Sequence, residues 1–347
     1  MSLLSVISAE IAARGPMPMD RYMALCLGHP RHGYYMTRDP LGEGGDFTTA
    51  PEISQIFGEM LGLALAQIWI DQGRPARFVL AEAGPGRGTL MADILRVGRS
   101  VPGFTAAAEV ALIETSPVLQ AIQAKTLAGQ DVHWCRALDD LPQGPLLLVA
   151  NEFFDALPVR QYQRVDDIWL ERCVAATGPD DRLTITLRPA PNPPEPPLPL
   201  PDGAIWEECP AGQDIAARIG TRIATTGGAA LILDYGDRDG DGDTLQAVQN
   251  HATADVLSAP GTADLTAHVR FDDLITAAEP AMAAFTAQGP FLERLGITAR
   301  ANALLAAGDQ AVVAAHRRLT HPDEMGQLFK VLGLCPLGAP PLPGFEP

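Results

Sequence analysis

Apolar and polar positions alternate in two regimes along the chain. Residues 3–13 and 19–27 read as short amphipathic helices, the second ended by Gly28-His29-Pro30. A polar, glycine-rich segment follows at 42–52, and 53–70 then predicts one long helix, with Pro51 and Glu52 suited to its first turn. From residue 77 the pattern changes. Near-continuous apolar runs at 77–81, 110–113, 132–134, 146–150 and 229–233 alternate with helical stretches at 89–97, 117–127 and 213–225. Runs of that kind mark strands buried on both faces, and the alternation predicts a doubly wound, mostly parallel α/β sheet.

Two segments interrupt this pattern. Residues 159–187 alternate as a hairpin does, and 189–201 hold eight prolines in 13 positions, an exposed polyproline-like loop. The last part reads as helical to residue 321, with a final strand at 327–334. The expected organisation is a helical cap over 1–75 and an α/β core over 76–347. The core carries an insertion at about 159–205 and a helical C-terminal part at about 264–322.

Composition narrows the class. Of 347 residues, 47% are hydrophobic and 19% charged, which argues against bulk disorder or a coiled coil. The formal net charge is −17 and the only lysines are Lys125 and Lys330, so general binding to nucleic acid is disfavoured and a cationic or arginine-rich partner fits better. Five scattered cysteines without a C-x-x-C read as reduced thiols. The first residues lack a basic stretch, and the most apolar run, 60–70, is too short to span a bilayer. A cytoplasmic protein with no membrane insertion is expected.

In open α/β sheets ligands bind at the carboxyl ends of the strands. Those ends are Glu82-Ala83-Gly84-Pro85-Gly86-Arg87-Gly88, Glu114-Thr115-Ser116-Pro117, Asn151-Glu152-Phe153-Phe154-Asp155 and Asp234-Tyr235-Gly236, and each carries an acid. The glycine turn is not a dinucleotide fingerprint, because Thr89 occupies its third position, and no phosphate-cradling P-loop occurs. In Glu-x-Gly-x-Gly-x-Gly, Gly84 permits the sharp turn, Gly86 the approach of a ligand to the backbone, and Gly88 close packing of the next helix. Glu82 would repel a pyrophosphate and suits a cation. S-adenosylmethionine carries an ammonium and a sulfonium and no phosphate, and Glu114 is placed to accept its ribose hydroxyls.

The chain resembles the MidA-like methyltransferases, which include a mitochondrial complex I assembly factor that methylates an arginine. The blocks that carry the resemblance run in order over nearly the whole chain. They are Gly15-Pro16 with Arg21-Tyr22-Met23; His29-Pro30 to Gly33-Tyr34-Tyr35; 45–54; 82–90; 114–117; 151–158; 234–236; 264–269; Gln288-Gly289 with Phe291-Leu292; and Met325-Gly326 with Phe329-Lys330-Val331. Arg270 departs from the pattern where the family often has Asp, and 249–251 is variable territory. The resemblance implies a class I methyltransferase-like fold and a S-adenosylmethionine site of Glu82, Gly84, Gly86 and Glu114. It also implies a loop over 45–52 that closes on the site with Asp46, Thr48 and Thr49. The bland alternative makes Thr48 or Thr49 a helix cap.

The strand-four rim bears on the acceptor. Enzymes that methylate neutral planar nitrogens generally show [DN]-P-P-[YF] there, whereas this chain has Asn151-Glu152-Phe153-Phe154. Glu152 and Asp155 offer carboxylates, which match a guanidinium, and Phe153 and Phe154 are able to stack on a cation or to fill the core. Asn151 stands between the two roles, for cofactor and acceptor. His251 and His268 are candidate substrate-site groups, with a structural role as the plainer reading. No metal is expected. Residues 237–242 begin like a calcium loop but have Val248 at its twelfth position, His29 and His32 lack a third ligand, and neither H-E-x-x-H nor G-x-S-x-G occurs. The expected reaction is methyl transfer from S-adenosylmethionine to a protein arginine. The resemblance points to a subunit of the respiratory NADH dehydrogenase as substrate. A different side chain, a small molecule, and an assembly chaperone that binds the cofactor without turnover are the alternatives.

Overall fold

A computed structural model describes residues 2–38, 49–178, 181–196, 199–240, 242–249 and 251–346. Among the described residues the central sheet has eight strands, seven of them in one row: β1 (Phe78–Ala83), β2 (Ala108–Ile113), β3 (Val132–Cys135), β4 (Leu146–Asn151), β5 (Gly228–Asp237), β6 (Met282–Ala287) and β7 (Phe329–Cys335). Their order is β6-β7-β5-β4-β1-β2-β3. The five strands from β5 to β3 are parallel, and only β7 runs against its neighbours β5 and β6. Every residue of β1, β4 and β7 is buried, which is why these runs carry no alternating polar positions. The short strand Val269–Arg270 pairs with the end of β5.

Helices cover both faces. On one side lie α1 (Gln55–Asp71) and α2 (Thr89–Gly98), whose Phe57, Leu61 and Ile94 meet Leu80, Val149 and Leu231 of the sheet. On the other lies α4 (Pro210–Thr226), whose Ala216, Ile219 and Ile223 meet Val79, Leu148 and Ile232; α3 (Pro117–Thr126) links β2 to β3. The long helix expected at 53–70 therefore belongs to the α/β core rather than to a cap. Its Gly58 and Gly62 let α2 approach closely: a Cβ on Gly62 would stand 2.5 Å from Val97 Cγ1.

The helices Leu3–Arg14 and Met19–Gly28 pack elsewhere. They share a core with the antiparallel strands Ile168–Thr177 and Arg182–Pro189, and the second helix also meets the strand Arg160–Val165; these three strands are the insertion expected from its alternation. Ile205–Glu208 returns to pair with the first of these strands. Between them, the described residues of the proline-rich stretch after Pro189 carry no helix or strand. One expectation is corrected. The part read as helical, 264–322, contains the helices Phe271–Ala277, Gln288–Arg294, Ile297–Ala306 and Ala311–Thr320, but also the strands Asp264–Thr266 and β6. Met-Ala-Ala-Phe-Thr-Ala has the composition of a helix, and pairing along β7 overrides that preference. Among the described residues, no helix is long and apolar enough to cross a membrane.

Candidate active site

The carboxyl ends of β1, β2 and β4 open into one cavity of about 630 Å³, within the range of small-molecule sites. Its wall holds Glu82, Gly84, Pro85, Gly86, Glu114, Asn151 and Glu152, so the three rims marked by their acids converge there.

The turn from β1 into α2 needs its glycines. Gly84, Gly86 and Gly88 have φ of 65°, 51° and 81°, the left-handed region that a side chain strains. A Cβ on Gly84 would also meet the Phe153 ring at 2.8 Å. Gly88 sits at the N-cap of α2 and closes the turn, donating its N–H to the Pro85 carbonyl at 2.7 Å. At the start of the turn Glu82 is buried, and among the described residues its Oε2 has no hydrogen-bond partner. Burial pushes its carboxyl up to about 8. A buried carboxyl with one oxygen left without a partner on a cavity wall is costly alone and is relieved by a cation.

Glu114 is held from both sides. Its Oε1 accepts the Ser116 N–H at 2.7 Å and its Oε2 accepts from Gln123 Nε2 at 3.2 Å. Gln123 also donates to the Gly86 carbonyl at 2.8 Å and accepts from Trp134 Nε1 at 2.9 Å. One α3 side chain thus ties the β2 rim to the glycine turn. Burial raises the Glu114 carboxyl.

At the β4 rim, Glu152 Oε1 accepts from the Ala50 N–H at 3.2 Å and from Asn151 Nδ2 at 3.1 Å. Glu152 has φ of 51° although it is not glycine. Burial, and then the nearby Asp155, push its carboxyl up to about 7. Among the described residues, the buried Oδ1 of Asn151 has no partner. Asp155 is buried but does not line the cavity; it lies behind the rim against Tyr235, and burial pushes it up to about 6. Phe153 and Phe154 stand edge to face and both line the cavity, Phe154 while also buried in the core.

Other expected residues fall differently. His268 does not line this cavity: it is exposed, edge-on to Tyr235, with its N–H on Thr244 Oγ1 at 2.9 Å. Its neighbours Ala267 and Val269 are buried, Val269 in pairing with Gly236, so the side chain between them points away from the core. His251 is exposed as well. Thr49 lines the cavity and holds the N-cap position of the helix Ala50–Ile53 without a side-chain capping bond. Asp46 and Thr48 lie outside the described residues, as does Asp241 of the acidic loop.

Several wall residues escaped the sequence reading. Leu27, Tyr35 and Met36 come from the N-terminal segment, and the Tyr35 hydroxyl donates to Asp264 Oδ1 at 2.8 Å. Arg136 and Leu138 follow β3, and Ile215 and Arg218 come from α4. The rule that ligands meet strand ends points to Arg136 and Leu138, since they follow a strand. Nothing local marks Leu27 or Met36.

The chain is similar to known proteins. The profile of the S-adenosyl-L-methionine-dependent methyltransferase family matches residues 60–290. The protein named protein arginine methyltransferase NDUFAF7, mitochondrial, is 39% identical in Mus musculus, over 96% of this chain and 84% of that protein. In Homo sapiens the identity is 36%, over 96% and 83%. A Burkholderia thailandensis protein solved with S-adenosylhomocysteine bound superposes with a TM-score of 0.85 at 28% identity, covering 99% of this chain and 93% of that one. The cavity fits the cofactor on its own evidence. It offers a buried, unpartnered carboxyl for an ammonium, a side-chain-free turn for close approach, and an acid on the neighbouring strand for paired hydroxyls.

Proposed function

The chain belongs to the family of S-adenosyl-L-methionine-dependent methyltransferases, and on that premise we propose that its acceptor is a protein arginine, on a subunit of the respiratory NADH dehydrogenase. The observation that carries the arginine reading is Glu152. One of its oxygens is anchored by Asn151 and Ala50, and among the described residues no hydrogen bond reaches the other. The animal relatives carry the words protein arginine methyltransferase in their names. The NADH dehydrogenase subunit follows from the MidA-like resemblance, and the cytoplasmic location expected from the cysteines stands as part of the same proposal.

When bound, the cofactor supplies a methyl group made electrophilic by its sulfonium. The chain's own residues then bind and orient. Glu82 would take the ammonium and give up its proton as it does so. Glu114, already oriented by Ser116 and Gln123, would accept the ribose hydroxyls. The Gly84–Gly88 turn lets the backbone approach. Glu152 would pair with the guanidinium and draw its charge toward one edge, leaving the opposite nitrogen nucleophilic; as the N–C bond forms and the sulfonium C–S bond breaks, the guanidinium would give up one N–H proton to the Glu152 carboxylate. Positioning and exclusion of water by the cavity wall supply most of the acceleration.

Glu152→Gln keeps the shape of the side chain and removes its charge. Turnover of labelled donor into protein should fall by about 10²-fold or more, while S-adenosylhomocysteine affinity by calorimetry stays close to normal. If affinity falls together with turnover, Glu152 belongs to the cofactor. Label that accumulates only in small molecules of a cell extract would move the acceptor away from protein.

A further inference from the structure

The end of β4 is held by a residue that neither lines the cavity nor reaches a ligand. The parallel ladder pairs Asn151 with Leu233 of β5, and its last bond runs from the Glu152 N–H to the Leu233 carbonyl at 2.9 Å. Beyond it the chain leaves the sheet, and three successive N–H groups lose their strand partners. All three turn to one oxygen. Asp234 Oδ2 accepts from Phe153, Phe154 and Asp155 at 3.2, 2.9 and 3.2 Å. Its Oδ1 accepts the Tyr235 N–H at 3.0 Å. The Asp234 side chain is fully buried. The residue just before these three is Glu152, held in a left-handed conformation that a non-glycine residue keeps only where its surroundings over-determine it.

We propose that Asp234 is a positioning residue of the methyl-transfer reaction, gathering the three N–H groups after Glu152 onto one buried carboxylate and so holding the Glu152 side chain at the cavity. The inference rests on the role of Glu152 in handling the acceptor. It assigns that geometry to the end of β5, one strand away. The acids of the cofactor side stand on other strands: Glu82 is on β1, with the glycine turn after it, and Glu114 follows β2.

Asp234→Asn separates the two sides. An amide has one oxygen and cannot accept all four N–H groups, and its NH2 would face a donor. Turnover should fall by about 10²-fold, the scale of a small misplacement of a reacting group. The dissociation constant of S-adenosylhomocysteine should stay within about threefold of the parent value, less than the loss of one hydrogen bond. The double variant with Glu152→Gln should be no slower than Glu152→Gln alone, because Asp234 acts through that residue. Normal turnover in folded Asp234→Asn, losses that add in the double variant, or an affinity that falls in step with turnover would each overturn the proposal. If Glu152→Gln by itself keeps full turnover, the acceptor reading fails instead, whatever Asp234 does. Should Asp234→Asn not fold, amide hydrogen exchange in the native protein with S-adenosylhomocysteine bound decides. Protection of 153–155 equal to that of β4 supports the clamp, and exchange as fast as that of open turns refutes it.

Discussion

At the residue scale, the site is a set of acids kept from their usual ionisation by burial. Glu82 is the clearest case, with one oxygen unpartnered and its carboxyl pushed up to about 8. Near neutral pH the empty site therefore holds a proton that the cofactor's ammonium must displace. Affinity for S-adenosylhomocysteine, which keeps the ammonium, should rise with pH by up to about tenfold per unit until Glu82 ionises unaided. Calorimetry in buffers of different ionisation enthalpy should detect close to one proton released near pH 7. Glu82→Gln should bind more weakly and lose both the slope and the proton. A wild-type affinity that stays flat between about pH 6 and 8 would exclude Glu82 as the ammonium's partner.

At the element scale, α1 decides how closely the glycine turn is backed. The turn leads directly into α2, and α2 leans on α1 through Gly58 and Gly62. At Gly62 an added Cβ would press on Val97 Cγ1 at 2.5 Å and on the Ile94 backbone at 3.0 Å. Two packed helices cannot absorb that without moving apart. Gly62→Ala should therefore lose about 1–3 kcal/mol of stability, the usual cost of overpacking, even though alanine is the better helix former. Urea unfolding would show the shift, and an unchanged midpoint would mean that α2 is free to slide. The chain carries this packing as two glycines four apart in an apolar run, which is visible. Their partner helix is not, because helix-to-helix contact leaves no periodic mark of its own.

At the scale of the whole molecule, the buried acids make stability depend on pH in a direction that can be worked out. Glu82 and Glu152 rise from 4.5 to about 8 and about 7, and Asp155 rises from 3.8 to about 6. Each holds a proton in the folded state that the unfolded chain releases. Their contribution is complete below about pH 4 and is lost as pH climbs through the raised values. Glu59 works in the opposite sense. Arg300 and Arg96 hold its carboxyl below the usual range, so its contribution is present at neutral pH and lost in acid. The ligand-free protein should thus lose thermal stability from about pH 5 to about pH 8. The melting temperature of Glu82→Gln relative to the parent should rise across that interval. Parallel melting curves for the two proteins would show that Glu82 is not buried in its ionised form.

The apolar runs, the glycine turn and the four acidic strand ends stand in the amino-acid order because each is a local necessity. A strand buried on both faces must be apolar throughout, and a left-handed turn must be glycine. From these the parallel sheet, the cofactor class and the positions of Glu82, Glu114 and Glu152 are legible. Other features depend on which segments meet, and no local pattern records that. β6 is a strand only because β7 offers it an edge. Leu27, Tyr35 and Met36 wall the cavity only because the N-terminal helices dock on the antiparallel insertion. His268 sits within a family block yet is exposed, since the buried Ala267 and Val269 on either side take the inward positions. Asp234 looks in the sequence like one more acid at a strand end. Tertiary structure points it at three backbone N–H groups from another strand, because a carboxylate buried at the end of a ladder must find its donors across the sheet.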